Sequence, residues 1–199
     1  MKVKRFAVLI FGILIFGVPQ ALSQSLPKST SRVNVKYDKG KDLTTITLKR
    51  TTITSVTQEK ATASNLPLHQ MDLDVAFSYR GQKALDPVTD VVMTFHCVAG
   101  TYIFLKGQEV IAAIDRAVAG KDRGFNLGMT KYSSSPPKFN SVYEENMEIT
   151  IPVDALRKFA DAKSLELYLG PISYELTQKQ MDGIKEFAGF LPITGTNGK

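Results

Sequence analysis

Apolar and polar residues alternate along most of this chain beyond residue 32, and that period of two predicts strands. Val33, Val35 and Tyr37 share one face of a short run; in the next, Ile46 and Leu48 oppose Thr45 and Thr47, with Lys39-Gly40 as the turn of a first hairpin. Met71, Leu73, Val75, Phe77 and Tyr79 alternate with Asp72, Asp74, Ala76 and Ser78, the pattern of a strand with one wet face. Arg80-Gly81-Gln82 turns the chain and Asp86-Pro87 opens the next element. There Val91, Met93, Phe95 and Cys97 alternate with Val92, Thr94, His96 and Val98, so this strand is apolar on most of both faces and belongs at the centre of a sheet. Thr101 to Leu105 and Glu109 to Ile114 are shorter candidate strands divided by a tight turn at Lys106-Gly107.

Regularity fades from Gly120 to Asn140. Gly120, Gly124, Gly128, Ser133 to Ser135 and Pro136-Pro137 predict loops around one short strand near Phe125 to Tyr132. Val142 to Ile151 is again strand-like, with Tyr143, Met147, Ile149 and Ile151 facing inward and Glu144 and Glu148 outward. The period then changes. Pro152 suits a first helical position, and Val153, Leu156, Phe159 and Ala160 recur at helical spacing, predicting a short helix from about Pro152 to Ala162. Leu165, Leu167 and Leu169 form a strand that stops at Gly170-Pro171, and Ile172 to Leu176 pairs back on it. Thr177 with Gln180 is a capping-box pattern opening a helix whose stripe of Met181, Ile184, Phe187, Ala188 and Leu191 is core-facing and ends before Pro192. Together these elements predict a mainly β fold, an antiparallel β-sandwich or strongly curved sheet of about eight or nine strands with two short helices near the C-terminus. An α+β layout with the last helix across an open sheet face is the close alternative.

The segments Pro152 to Ala162, Leu165 to Gly170 and Tyr174 to Thr177, with the final helix, resemble the closing segment of uncharacterised exported bacterial β-rich domains. The resemblance covers about a quarter of the chain past its leader and implies a small β-rich domain with a helix packed at its end. It carries no functional residues.

The N-terminus changes the picture of where this domain works. Lys2, Lys4 and Arg5 precede an unbroken apolar run from Phe6 to Val18, and Ala21 and Ser23 place small residues before a cut between Ser23 and Gln24. Thirteen apolar residues fall short of the roughly twenty that span a bilayer, so a cleaved signal peptide is expected rather than an anchor. The expected organisation is a signal peptide over 1–23, a flexible leader over 24–32, a single β-rich domain over 33–192 and a tail over 193–199. Cleavage removes three basic groups and no acidic one, lowering the formal charge from +6 to +3, a balance unlike that of a nucleic-acid binder, which normally carries a concentrated basic face, so no nucleic-acid partner is expected. One cysteine, Cys97, cannot form an internal bridge, so the fold must rest on its apolar core in an oxidising compartment, periplasmic or extracellular.

Candidate chemistry is sparse. His96 and Cys97 are consecutive in a strand and point to opposite faces, so they cannot share a metal or form a thiolate–imidazole pair. A weak metal site of His69, Asp72 and Asp74 is conceivable, but exposed polar residues on a wet face are the preferred reading, and neither metal nor cofactor is expected. Asp72 with Asp74, and Glu144 with Glu148, read as solvent-facing charge; no nucleophile elbow, P-loop or dinucleotide fingerprint is present. The stretch Gly120 to Asn140 interleaves Lys121, Arg123, Lys131 and Lys138 with Phe125, Tyr132 and Phe139, a combination that attracts anions and stacks on sugar or apolar groups. The expectation is an exported non-enzymatic binding or accessory domain of the cell envelope, recognising a glycan, an anionic ligand or a protein, with no membrane span after cleavage. An exported hydrolase is the alternative. Intact-mass measurement of the exported protein is expected to find a chain beginning at Gln24; a chain beginning at Met1 would make the leader an anchor.

Overall fold

A computed structural model of the chain describes residues 26–55, 69–84, 86–115, 124–138 and 142–192. The expected signal peptide and tail lie outside them, and no helix among them is long and apolar enough to cross a membrane. The first hairpin forms where the alternation predicts it. Strand β1 (Val33–Asp38) pairs antiparallel with β2 (Leu43–Ser55), Val33 opposite Leu48 and Asp38 opposite Leu43. The segment before β1, expected to be a loose leader, is tied to it: the Val35 N–H donates to Ser29 Oγ and the Val33 N–H to Thr30 Oγ1, each at 2.9 Å.

The chain continues through β3 (His69–Arg80), β4 (Asp90–Ala99), β5 (Glu109–Ile114), β6 (Phe125–Met129), β7 (Lys131–Lys138) and β8 (Val142–Pro152). Helix α1 (Val153–Asp161), β9 (Leu165–Leu169), β10 (Ile172–Glu175) and helix α2 (Gln178–Ala188) complete it. Ten strands form one antiparallel sheet in the order β6-β5-β9-β10-β2-β3-β4-β8-β7, with β1 on the first half of β2. Because β2 is thirteen residues long, its start pairs with β1 while its end, at Thr54 and Ser55, pairs with β10, so one strand joins the two halves of the sheet. The two ends of that order, β6 and β7, are separated in sequence by Thr130 alone. A sheet whose terminal strands must meet across one residue has to curl strongly, although they do not pair and the sheet stays open.

Curling turns one face of every strand inward. Ile46, Leu73, Val75, Met93, Phe95, Met147, Ile151, Val110, Leu167 and Tyr174 are all shut from solvent in one apolar cluster. The helices complete it. Phe159 of α1 stacks on Phe125 of β6 with ring centroids 5.8 Å apart, and Phe187 of α2 meets Phe77 of β3 edge-on at 5.4 Å. Pro152 caps α1 with extended backbone, and at α2 the Thr177 N–H donates to Gln180 Oε1 at 2.6 Å, the reciprocal half of the expected capping box.

Other expectations change besides the leader: Pro152, expected as the first helical residue, is the extended residue before α1. The sheet has ten strands rather than eight or nine. The stretch from Gly120 to Asn140 contains two strands, β6 and β7, instead of one; Pro136 and Pro137 are tolerated because β7 is an edge strand, and its pairing shifts register there. Thr101 to Leu105 is a loop, for a reason given below.

Cys97 faces the core as the alternation predicts, while His96 faces outward and contacts Asn146 Oδ1 through Nδ1 at 2.6 Å. Burial first, and the Glu145 carboxylate second, push the Cys97 thiol up to about 12. Its ordinary value is 9.0, so above that pH the unfolded chain releases a proton that the native chain keeps. Stability from this thiol is therefore whole below pH 9.0 and falls as pH rises toward about 12, by at most about 1.4 kcal/mol per pH unit. Urea midpoints measured from pH 8 to 10.5 are expected to fall more steeply for the native protein than for Cys97→Ala; parallel curves would refute a buried neutral thiol.

Candidate functional site

Inward-facing positions of β8 alternate as Tyr143, Glu145, Met147, Ile149 and Ile151, so the strand's parity delivers one carboxylate into the core. Glu145 is 1% exposed. A buried carboxylate is stable only when its oxygens are satisfied, and here the loop after β4 supplies the donors. The Ile103 N–H donates to Oε2 at 2.6 Å, the Phe104 N–H to Oε1 at 3.0 Å and the Leu105 N–H to Oε1 at 2.9 Å. The Tyr132 hydroxyl, from β7, donates to Oε1 at 2.9 Å. Three consecutive amides converging on one carboxylate cannot also serve a strand ladder, which is why Thr101 to Leu105 is not a strand.

Further contacts fix this loop. The Gln108 side chain donates to the Lys106 carbonyl at 3.1 Å; the Gln108 N–H donates to Thr130 Oγ1 at 2.8 Å, and the Thr130 N–H returns to the Gln108 carbonyl at 2.9 Å. Gly107 lies so close to the Thr130 carbonyl that a Cβ there would collide with it. The result is a rigid tip carrying Leu105, 69% exposed with φ +64°, and the neighbouring Lys106. Met129, at the end of β6 and 64% exposed, and Lys131, exposed at the start of β7, flank Thr130. Tyr102 and Tyr143 meet edge-on beside the loop with centroids 4.5 Å apart.

Of the seven residues that the sequence singles out, three have described side chains. Phe125 is half-buried between Phe159 and the Lys158 ammonium, which lies 5.7 Å from its ring centre. Tyr132 is half-buried and holds Glu145; burial first, then its contact with Glu145, raises its pKa, against a lowering hydrogen bond from Ser134. Lys131 is exposed at the tip. Lys138 ends β7, and Lys121, Arg123 and Phe139 lie outside the described residues. Both described aromatic rings thus do structural work, and the apolar residues most available for contact are Leu105 and Met129. The missed signal was parity: Glu145 falls where Met147 and Ile149 predict an apolar residue.

Asp72, Asp74 and both histidines are engaged in the fold, whereas Glu144 and Glu148 are exposed as the alternation predicts. Asp72 is buried, contrary to its expected wet position, because it accepts from Thr52 Oγ1 at 2.6 Å and Gln70 Nε2 at 3.0 Å. Asp74 holds Arg50 through two guanidinium nitrogens at 3.0 and 3.1 Å. His69 Nε2 contacts the Tyr174 hydroxyl at 2.9 Å, and Tyr174 is raised in pKa chiefly by burial. His69, Asp72 and Asp74 are therefore not brought together, and no cluster of three metal-ligating side chains occurs among the described residues.

No protein-family profile, curated protein or solved structure matches this chain.

Glu145→Gln replaces one acceptor oxygen with an NH₂ that faces backbone donors, and is expected to lower stability by about 2–3 kcal/mol, with Tyr132→Phe costing about 1–2 kcal/mol. Chemical denaturation checks both. Wild-type stability in Glu145→Gln would mean that the carboxylate does not organise the loop.

Proposed function

We propose that the chain acts as an exported binding domain of the cell envelope, meeting its partner through the rigid tip formed by residues 101–107 and the β6–β7 junction. The observation that carries this reading is Leu105. A large apolar side chain is 69% exposed on a backbone of φ +64°, a conformation that costs a non-glycine residue on the order of 1 kcal/mol. Folding alone favours glycine there, and exposure offers leucine no compensation within the domain. Lys106 and Lys131 set positive charge beside the apolar groups, and Tyr102 and Tyr143 add ring surface. That combination suits an envelope glycan with negative charge beside a sugar face.

A binding role is favoured over hydrolysis by the engagement of Glu145, of the β3 carboxylates and of both histidines. Glu145 is enclosed, Asp72 and Asp74 are hydrogen-bonded, and both histidines contact neighbouring side chains. General acid–base chemistry needs such a group within reach of a substrate, in a pocket that can hold one.

Leu105→Gly separates folding from binding. The variant is expected to match or exceed wild-type stability by up to about 1 kcal/mol, while retention of purified anionic glycan on the immobilised domain falls roughly fivefold. Lys106→Ser with Lys131→Ser is expected to weaken retention and its dependence on salt. Undiminished retention by both variants would overturn the proposal.

A further inference from the structure

A groove of about 350 Å³ runs between the middle of β2 and the first turn of α2. Arg32, Lys49, Arg50 and Lys179 line it, together with threonine hydroxyls and without any acidic side chain. A larger recess beside the β3–β4 connection differs, mixing Arg80 with Asp86 and Asp90.

The basic character of the groove depends on an irregularity in β2. Leu48 faces Val75 and Thr51 faces Leu73, so Lys49 and Arg50 together oppose Asp74 alone, as in a β-bulge. Consecutive side chains of a regular strand point to opposite faces, whereas here both line the same groove. Asp74 behind Arg50 fixes its guanidinium, and Glu186 lies 3.4 Å from Arg32. Those two acids offset the two arginines. Lys49 and Lys179 are both exposed, and among the described residues neither forms an ion pair. The Gln180 side chain donates to the Thr52 carbonyl, tying the start of α2 to β2 and holding the groove walls together. Backbone N–H groups of the first helical turn add partial positive charge on the same side.

We infer that this groove binds a phosphoryl group carried by a small ligand or a lipid headgroup. The exposed ammonium groups of Lys49, on β2, and Lys179, on α2, join the guanidinium groups of Arg32 and Arg50 along the groove, which suits a group with several anionic acceptor oxygens. The volume is at the lower end of the range for ligand sites, about 300–1,000 Å³, so the phosphoryl group would arrive with little more than one sugar or glycerol unit. This inference is independent of the tip proposed above, since no lining residue belongs to it.

The test is an amide-shift titration of the ¹⁵N-labelled chain from Gln24 with inorganic phosphate, pyrophosphate and glycerol phosphate. A parallel arm measures co-sedimentation with vesicles of phosphatidylglycerol or of phosphatidylcholine alone. Saturable shifts confined to Thr51, Thr52, Lys179, Gln180 and Gly183 are expected, with a dissociation constant on the order of 0.1–1 mM. Lys49→Gln with Lys179→Gln, two exposed positions whose change should leave the melting temperature in place, is expected to weaken binding about tenfold or more. Binding to soluble phosphates assigns a free ligand; binding to phosphatidylglycerol vesicles alone, lost in the double variant, assigns a headgroup. No saturable response to any probe, scattered shifts, or undiminished affinity in the double variant would overturn the inference.

Discussion

One buried carboxylate organises the most constrained part of this protein. Removing Glu145 from water costs several kcal/mol unless its oxygens are met by donors, and four donors from two separate segments meet them. Satisfying that requirement bends the chain after β4 into a loop, draws Tyr132 of β7 inward and links both to β8. It also places negative charge near Cys97, adding to the burial that keeps the thiol protonated. The interaction works in both directions, because the three loop amides would otherwise need partners of their own.

The clamp lies where the sheet most needs support. β2 carries the continuity of the sheet at one place, pairing with β1 and β10 in turn, but at the opposite side β6 and β7 are joined by Thr130 without pairing. An open seam exposes strand edges, which invite pairing with other chains. Near that seam the reciprocal Gln108–Thr130 bonds and the Tyr132–Glu145 bond replace the missing ladder, and Pro136-Pro137 removes amide donors from the β7 edge. The core packing of Phe125 on Phe159 then anchors β6 to α1.

Much of this fold was legible because the core is apolar and the sheet has one wet face. Met71 to Phe77 and Val91 to Cys97 alternate in sequence without interruption, and their burial follows parity everywhere except at Asp72. Capping-box and Gly-Pro signals located α2 and the β9–β10 turn, since those are local chemistry. What failed was long-range. Thr101 to Leu105 has strand-like composition, but its amides pair with a carboxylate forty residues on, which no local period reveals. Asp72 read as exposed because Thr52 and Gln70 come to it only through register. The candidate surface stretch was partly legible: Lys131 is exposed, yet Phe125 and Tyr132 serve the interior. The basic groove was not legible at all, because Arg32, Lys49, Arg50 and Lys179 converge only when the β2 bulge meets α2.

Two surface features run against what folding alone would select, and they do so for different physical reasons. Leucine at φ +64° accepts backbone strain and exposure together, although glycine would avoid both. The groove gathers four cations beside a bulge, of which Asp74 and Glu186 offset only the two arginines. A locally consistent sequence departs from its own rules mainly where another demand is placed on it. The strained leucine leaves apolar surface uncovered and the groove leaves two lysines without an ion-pair partner among the described residues, two different departures on one scaffold. The clamp at Glu145 separates the two: it holds the loop after β4 from within the core, away from β2 and α2, whose side chains line the groove.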